Sequence, residues 1–264
     1  MELRVGKDTA YAYTGGRAFD PRLPAVVFLH GGELDHSVWI LQSRYLAHHG
    51  YAVLAADLPG HGRSGGAALA RVEDLADWTV ALLDAAGVKD AALVGHSMGS
   101  LVALDCAARH PQRVRRIALV GTAFPMRVSA ELLEATRERE PEAHLMINHW
   151  SHSALAHYPS NPGPGFWVAG SNLRLMQRQK PGVLHADFSA CDGYRDGLER
   201  AAQVKCPALF LLGRLDAMTP ARAGRDLAHA VPGAAVKTLD DGGHNLMGEK
   251  PDEILDALVE FLRA

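Results

Sequence analysis

Gly95-His96-Ser97-Met98-Gly99 sets a hydroxyl between two glycines, directly after the apolar run Ala91-Ala92-Leu93-Val94 and directly before the helix-like stretch Ser100-Leu101-Val102-Ala103-Leu104. A serine carried on such a strand–turn–helix is suited to nucleophilic attack on a carbonyl, because the turn exposes its hydroxyl. The glycines have a steric reason: the strained turn crowds the positions two before and two after the serine, where a missing Cβ fits best. The hydroxyl also lies at a helix start, where unpaired backbone N–H groups favour a developing negative charge, so the Met98 N–H is expected to be one oxyanion donor. A second copy of the pattern, Gly62-Arg63-Ser64-Gly65-Gly66, is separated from its strand by Leu58-Pro59-Gly60-His61 and runs into Ala-rich sequence. It reads as a flexible loop, with Ser64 not a nucleophile.

A serine hydroxyl is a weak nucleophile near neutral pH and needs a base whose tautomer a third group fixes. With 14 histidines in the chain, residue type alone selects none, so position must decide. His244 follows the strand-like Ala235-Val236-Lys237-Thr238-Leu239 and the turn Asp240-Asp241-Gly242-Gly243, just before a final helix. Asp216 follows the apolar strand Ala208-Leu209-Phe210-Leu211-Leu212 within Gly213-Arg214-Leu215-Asp216. Both stand at carboxyl ends of strands, where the sites of open α/β sheets collect. Asp216 also has an alternative role as a cap for the helix near Pro220, while Asp240 and Asp241 are rivals for the acid that more naturally shape their turn.

These residues require a sheet to carry them. Buried runs at Ala25–Leu29, Ala52–Ala56, Ala91–Val94, Ile117–Val120 and Ala208–Leu212 alternate with helical patterns near 38–49, 70–86, 98–109, 220–230 and 252–263. Uninterrupted apolar runs suit strands covered on both faces, and β-then-α repetition predicts a mostly parallel sheet flanked by helices. Residues 1–264 read as one domain. The rhythm breaks over 125–204, which turns helical, His-rich and then loop-like around Pro159–Gly165, and is expected to form a lid over the site.

Composition narrows the partners. In 264 residues, 48% are hydrophobic and 22% charged, as in a packed globular chain, and the net charge of −3 offers no broad positive field for nucleic acid. A small-molecule substrate fits better. Cys106, Cys191 and Cys206 are too few for a disulfide framework and read as small buried hydrophobes in a reducing compartment. The amino-terminal residues show no basic segment followed by an apolar stretch, and no apolar run reaches the roughly 18 residues of a membrane span. The expected setting is cytoplasmic. His144, His149, His152 and His157 lack the H-E-x-x-H arrangement, so no metal is expected.

Five segments together, His30-Gly31-Gly32, Asp57-Leu58-Pro59-Gly60-His61-Gly62-Arg63-Ser64, Gly95–Gly99, Gly213–Asp216 and Gly243-His244, resemble the serine-nucleophile branch of the α/β-hydrolase superfamily, over most of the chain outside the 125–204 insertion. The order Ser97, Asp216, His244 is the order of that superfamily. The resemblance implies an eight-stranded sheet with one antiparallel strand near the amino terminus and a helical cap after the sixth strand. It also implies a second oxyanion donor from the loop after His30-Gly31, mapped onto the Gly32 N–H, with His30, Asp57 and His61 as loop supports. Haloalkane dehalogenases and epoxide hydrolases of this fold carry aspartate where Ser97 stands, which argues against an alkyl–enzyme ester here. Ring-fission relatives often have Asn where His96 stands. The Gly-His-Ser-Met-Gly wording is similar to carboxylesterases and monoacylglycerol lipases, with Ser100 replacing a second glycine common there.

The expected reaction is therefore hydrolysis of a carboxylic ester through an acyl-enzyme, with catalytic Ser97, Asp216 and His244 and no cofactor. The same three residues would serve a lactone, amide, thioester or ring-fission product, or perhydrolysis, and a non-catalytic ligand-binding member is the remaining alternative. Trp39, Trp150 and Trp167 are expected pocket walls; Trp150 and Trp167, with Met146, Tyr158, Phe166, Leu175 and Met176, have the lid's own core as the alternative, and Trp39 an ordinary core position.

Overall fold

The computed structural model describes residues 1–157 and 167–263. Eight strands form one sheet: β1 (Glu2–Val5), β2 (Asp8–Tyr13), β3 (Ala25–Leu29), β4 (Ala52–Ala56), β5 (Ala91–His96), β6 (Val114–Val120), β7 (Ala208–Gly213) and β8 (Ala235–Leu239). Their spatial order is β1-β2-β4-β3-β5-β6-β7-β8. Only β2 runs antiparallel to its neighbours, and every pair from β4 to β8 is parallel.

Side-chain alternation splits the apolar runs between two cores. Val27 and Leu29 of β3 join Leu54, Leu93 and Leu119 on one face, while Val26 and Phe28 join Val53, Val94 and Val120 on the other. Burial on both faces explains the apolar runs of β3, β4 and β7 and of β5 up to Val94. Edge strand β8 is mostly exposed and carries Lys237, which discourages pairing with another chain.

Helices Ile40–His48, Val72–Ala85, Met98–Arg109, Ala221–His229 and Pro251–Arg263 fill the places the sequence pattern assigns. The short helix Leu246–Glu249, directly after His244, was not legible in the periodicity because four residues complete barely one turn. Among the described residues between β6 and β7 stand helices Ala130–Glu138, Glu140–Trp150, Val168–Gln177, Val183–Gly193 and Gly197–Gln203. Ser129 caps the first of these through its hydroxyl and the Leu132 N–H, at 3.2 Å. These helices have a core of their own, Leu132, Ala135, Ala143, Ile147, Met176 and Leu184, into which Leu34 from the loop after β3 also packs.

The chain leaves β3 for β4 on one side, then returns to place β5 on the other. The loops that follow β3 and β5 therefore face each other across the point where strand order reverses, which is where open α/β sheets form their crevice. The register sets Leu29 beside Gly95, bringing the Gly31–Gly32 loop against Ser97.

Candidate active site

Ser97 sits between β5 and its helix with φ 51° and ψ −118°, a left-handed conformation that a side chain rarely adopts. The neighbouring glycines make it attainable. A Cβ on Gly95 would lie 2.1 Å from the Gly99 carbonyl oxygen, and one on Gly99 would lie 2.4 Å from that of Leu29. The Ser97 N–H donates to the Val120 carbonyl at 3.0 Å, tying the turn to β6. Ser100, in place of a second glycine, sets its Oγ 2.5 Å from the Ser97 carbonyl oxygen and 2.7 Å from Thr122 Oγ1, so the hydroxyl is accommodated by hydrogen bonding.

The structure brings His244 and Asp216 together, with His244 Nδ1 2.8 Å from Asp216 Oδ2. The other carboxylate oxygen, Oδ1, accepts from the N–H groups of Met218 at 2.9 Å and Thr219 at 2.7 Å, and the Thr219 hydroxyl donates to Oδ2 at 2.7 Å. Burial works to raise the Asp216 carboxyl, but the adjoining imidazole and the Thr219 donors outweigh it, holding the group below the ordinary carboxylate range. The turn-capping role and the role of imidazole partner are thus combined in one residue. Asp240 and Asp241 point elsewhere, to Arg214 and Lys250 respectively.

The loop bearing His244 is anchored from the inserted helices. Both the His244 and Asn245 N–H groups donate to the Ser151 carbonyl, at 3.1 and 2.9 Å. From beneath, His96 Nε2 donates to the His244 carbonyl at 3.0 Å. Burial, with the neighbouring His244 imidazole, lowers His96 to about 3, so it stays neutral.

Ser97 and Gly32 line two cavities that also share Phe188 and Met218. The smaller, about 40 Å³, contains His244 and Met176; the larger, about 390 Å³, contains Trp150 and Leu132. In the loop after β3, the Glu33 N–H is committed to Asp187 Oδ2 at 2.7 Å and the Leu34 N–H to the Gly31 carbonyl at 3.3 Å. Met98 opens its helix, where the first N–H groups have no partner within the helix.

The three tryptophans separate. Trp150 lines the larger cavity. Trp167 is 65% exposed and borders an outer groove of about 880 Å³ that Ser97 does not line, with Leu175 beside it. Trp39 departs from the expected wall: it is fully buried, its ring 5.1 Å from Phe28, because the helical turn that carries it packs onto the sheet. Met146 packs against the core of the inserted helices. Tyr158, Phe166 and the Pro159–Gly165 stretch lie outside the described residues.

His30 and Asp57 are both held by hydrogen bonds in the loops around the site. His30 Nδ1 donates to the Gly31 carbonyl and its Nε2 accepts from the Leu58 N–H. Asp57 accepts from the N–H groups of His36 and Arg63, each at 2.8 Å. Ser64 is buried, donating to the Asp57 carbonyl and accepting from the Tyr11 N–H, so its segment is pinned and differs from the flexible loop expected. Cys106 and Cys191 are buried and Cys206 half-buried, all as free thiols, and burial pushes Cys106 up to about 12. Among the described residues, two groups bring three ligand-type atoms within 4.8 Å of one another, Glu33 with Glu140 and His144, and Asp35 with His36 and Asp57. Neither group lines the cavities at Ser97.

Two contributors were missed by sequence reasoning. Asp187, from an inserted helix, holds both the Glu33 N–H and His61 Nε2, each at 2.7 Å. Glu33, one residue past Gly32, is buried and lies 2.9 Å from His144 Nε2. Burial pushes the Glu33 carboxyl up to about 7 against the pull of His144. Burial lowers His144, but the bond to Glu33 more than compensates and leaves it raised. Both groups hold protons more tightly folded than unfolded, so the contribution of this pair to stability falls as pH rises through the neutral range, in the opposite sense to that of buried His30 and His96. The melting temperature of the wild type relative to that of Glu33→Gln is therefore expected to fall by about 3–6 °C between roughly pH 5 and 8, as calorimetry of both proteins across that range would show. Parallel profiles for the two proteins would acquit the pair.

Residues 24–251 match the family described as alpha/beta hydrolase fold. The chain is 32% identical to the pimeloyl-[acyl-carrier protein] methyl ester esterase of Chromobacterium violaceum, over 90% of this chain and 94% of that one. It is 24% identical to the (E)-2-((N-methylformamido)methylene)succinate hydrolase of Acinetobacter baylyi, over 90% and 89%. Among solved structures, the enol-lactonase of Burkholderia xenovorans superposes with a TM-score of 0.87 at 24% identity, covering 100% of both chains.

Proposed function

Because this chain belongs to the α/β-hydrolase family and is an enzyme of that family, we propose that it hydrolyses carboxylic esters through an acyl-enzyme on Ser97. The observation that carries the reading is the 2.8 Å contact of His244 Nδ1 with Asp216 beside a left-handed Ser97 that lines a cavity with His244. Ser97 Oγ attacks the ester carbonyl as His244 Nε2 takes its proton, while Asp216 holds Nδ1–H and stabilises the imidazolium. The N–H groups of Gly32 and Met98 receive the oxyanion. His244 then protonates the leaving alcohol, and a water activated by the same imidazole releases the acid.

The segment 125–204 serves as the cap, excluding water and supplying the Trp150 and Phe188 walls of the larger cavity. Its Ser151 carbonyl also steadies the catalytic histidine loop. Three unbridged thiols suit a cytoplasmic setting. Among the described residues, no helix is long and apolar enough to cross a membrane, and small-molecule esters are the partners this reading supports.

Labelling with a fluorophosphonate, read by mass spectrometry of the digested protein, tests the assignment. The expected adduct is on the peptide containing Ser97, with loss of short p-nitrophenyl ester turnover in step with labelling. A folded protein that stays unlabelled, or carries the adduct on another serine while losing activity, would overturn it.

A further inference from the structure

The larger cavity at Ser97 is walled mainly by apolar side chains, among them Val128, Leu132, Trp150 and Phe188, and among the described residues the one charged residue lining it is Arg127. Arg127 is exposed and forms no ion pair with any described residue. The nearby Asp192 is otherwise engaged, accepting from the Val128 N–H at 3.1 Å and lying 3.9 Å from Arg195. Of the two hydroxyls that also line the cavity, that of Thr219 donates to Asp216 and that of Ser129 accepts from the Leu132 N–H. The cavity thus combines a reactive serine, apolar walls and a guanidinium with open donors.

We infer that Arg127 is a specificity-determining residue and that the preferred substrates carry a carboxylate at the end of the acyl chain remote from the scissile ester. The inference rests on the ester-hydrolase reading and names its substrate class. An aliphatic linker fits the apolar walls, while a terminal carboxylate meets the guanidinium fork, which is shaped to bind that planar group through two parallel hydrogen bonds. A neutral chain of equal length fills the same walls but leaves Arg127 in water, so the charge adds selectivity without being needed for the chemistry. At about 390 Å³ the cavity lies at the lower end of small-molecule sites, which favours monoesters of short to medium dicarboxylic acids over long-chain lipids.

The test compares kcat/KM for monomethyl adipate and monomethyl suberate with that for methyl hexanoate and methyl octanoate, using the full chain. The wild-type enzyme is expected to favour the monoacids. In Arg127→Gln and Arg127→Met the ratio of anionic to neutral kcat/KM should fall about five- to twentyfold, chiefly through KM, with Arg127→Lys retaining part of it. Raising the ionic strength should shrink the wild-type ratio but leave the Arg127→Gln ratio nearly still. Unchanged melting temperatures establish that the variants are folded. Ser97-dependent turnover of neutral esters with no charge preference, or a preference that survives Arg127→Gln, would overturn the role of Arg127 while sparing the hydrolase reading. Absence of Ser97-dependent turnover in both series would remove that reading and this inference with it.

Discussion

Ser97→Ala is expected to lower kcat for ester hydrolysis by roughly 10⁴-fold or more while leaving the protein folded. On the proposed mechanism the chemistry depends on a single oxygen, and neither His244 nor the two N–H donors can form the acyl-enzyme without it. What survives is the weaker catalysis of bound water by oxyanion stabilisation. Folding should be indifferent, since the bonds that pin the turn use the Ser97 backbone, to Val120 and to Ser100, and alanine meets the same positive φ as serine does. Steady-state rates with short p-nitrophenyl esters, beside thermal melts of both proteins, provide the check. Comparable rates would reject Ser97 as the nucleophile.

Asp216→Asn should cost about 10³- to 10⁴-fold in kcat, for a reason visible in the hydrogen bonds. Oδ1 accepts from two backbone N–H groups, of Met218 and Thr219, so an amide at this position must turn its oxygen toward them. Its NH2 group then takes the place of Oδ2 and faces His244 Nδ1. The imidazole can meet that donor only by moving its own proton to Nε2, and an Nε2–H cannot accept a proton from the serine. Packing is preserved and the tautomer is wrong. The rate of fluorophosphonate labelling should fall along with turnover, because both need the activated hydroxyl. Activity within tenfold of wild type would show that another acid orients His244.

Several features of this protein were legible from local sequence because their physical causes are local. The elbow at Ser97 requires missing side chains at Gly95 and Gly99 for contacts made within a few residues and with the adjoining strand, so five residues in a row advertise it. Strands β3, β4, β5 and β7 are buried on both faces, and unbroken apolar runs report that directly. The pairing of Asp216 with His244 followed from their places after strands, since a parallel sheet gathers such loops on one edge.

Other features depended on how distant elements pack. Trp39 lies just beyond the Gly31–Gly32 loop, and no spacing rule says whether such a residue faces the cavity or the sheet; the turn that carries it chose the sheet. Glu33 and His144 are 111 positions apart, and Asp187 and Glu33 are 154 apart, yet they join the inserted helices to the loop beside Ser97. A charged residue in a helix pattern is ordinarily solvated, and its burial becomes apparent only once another segment covers it. The sequence alone therefore determined the sheet, the elbow and the order of the catalytic candidates, all consequences of short-range sterics and burial. Only tertiary packing decided which tryptophan walls the cavity, which carboxylates are buried beside it, and where the one guanidinium on its lining stands, because each of these is a contact between segments that have no reason to meet until the chain is folded.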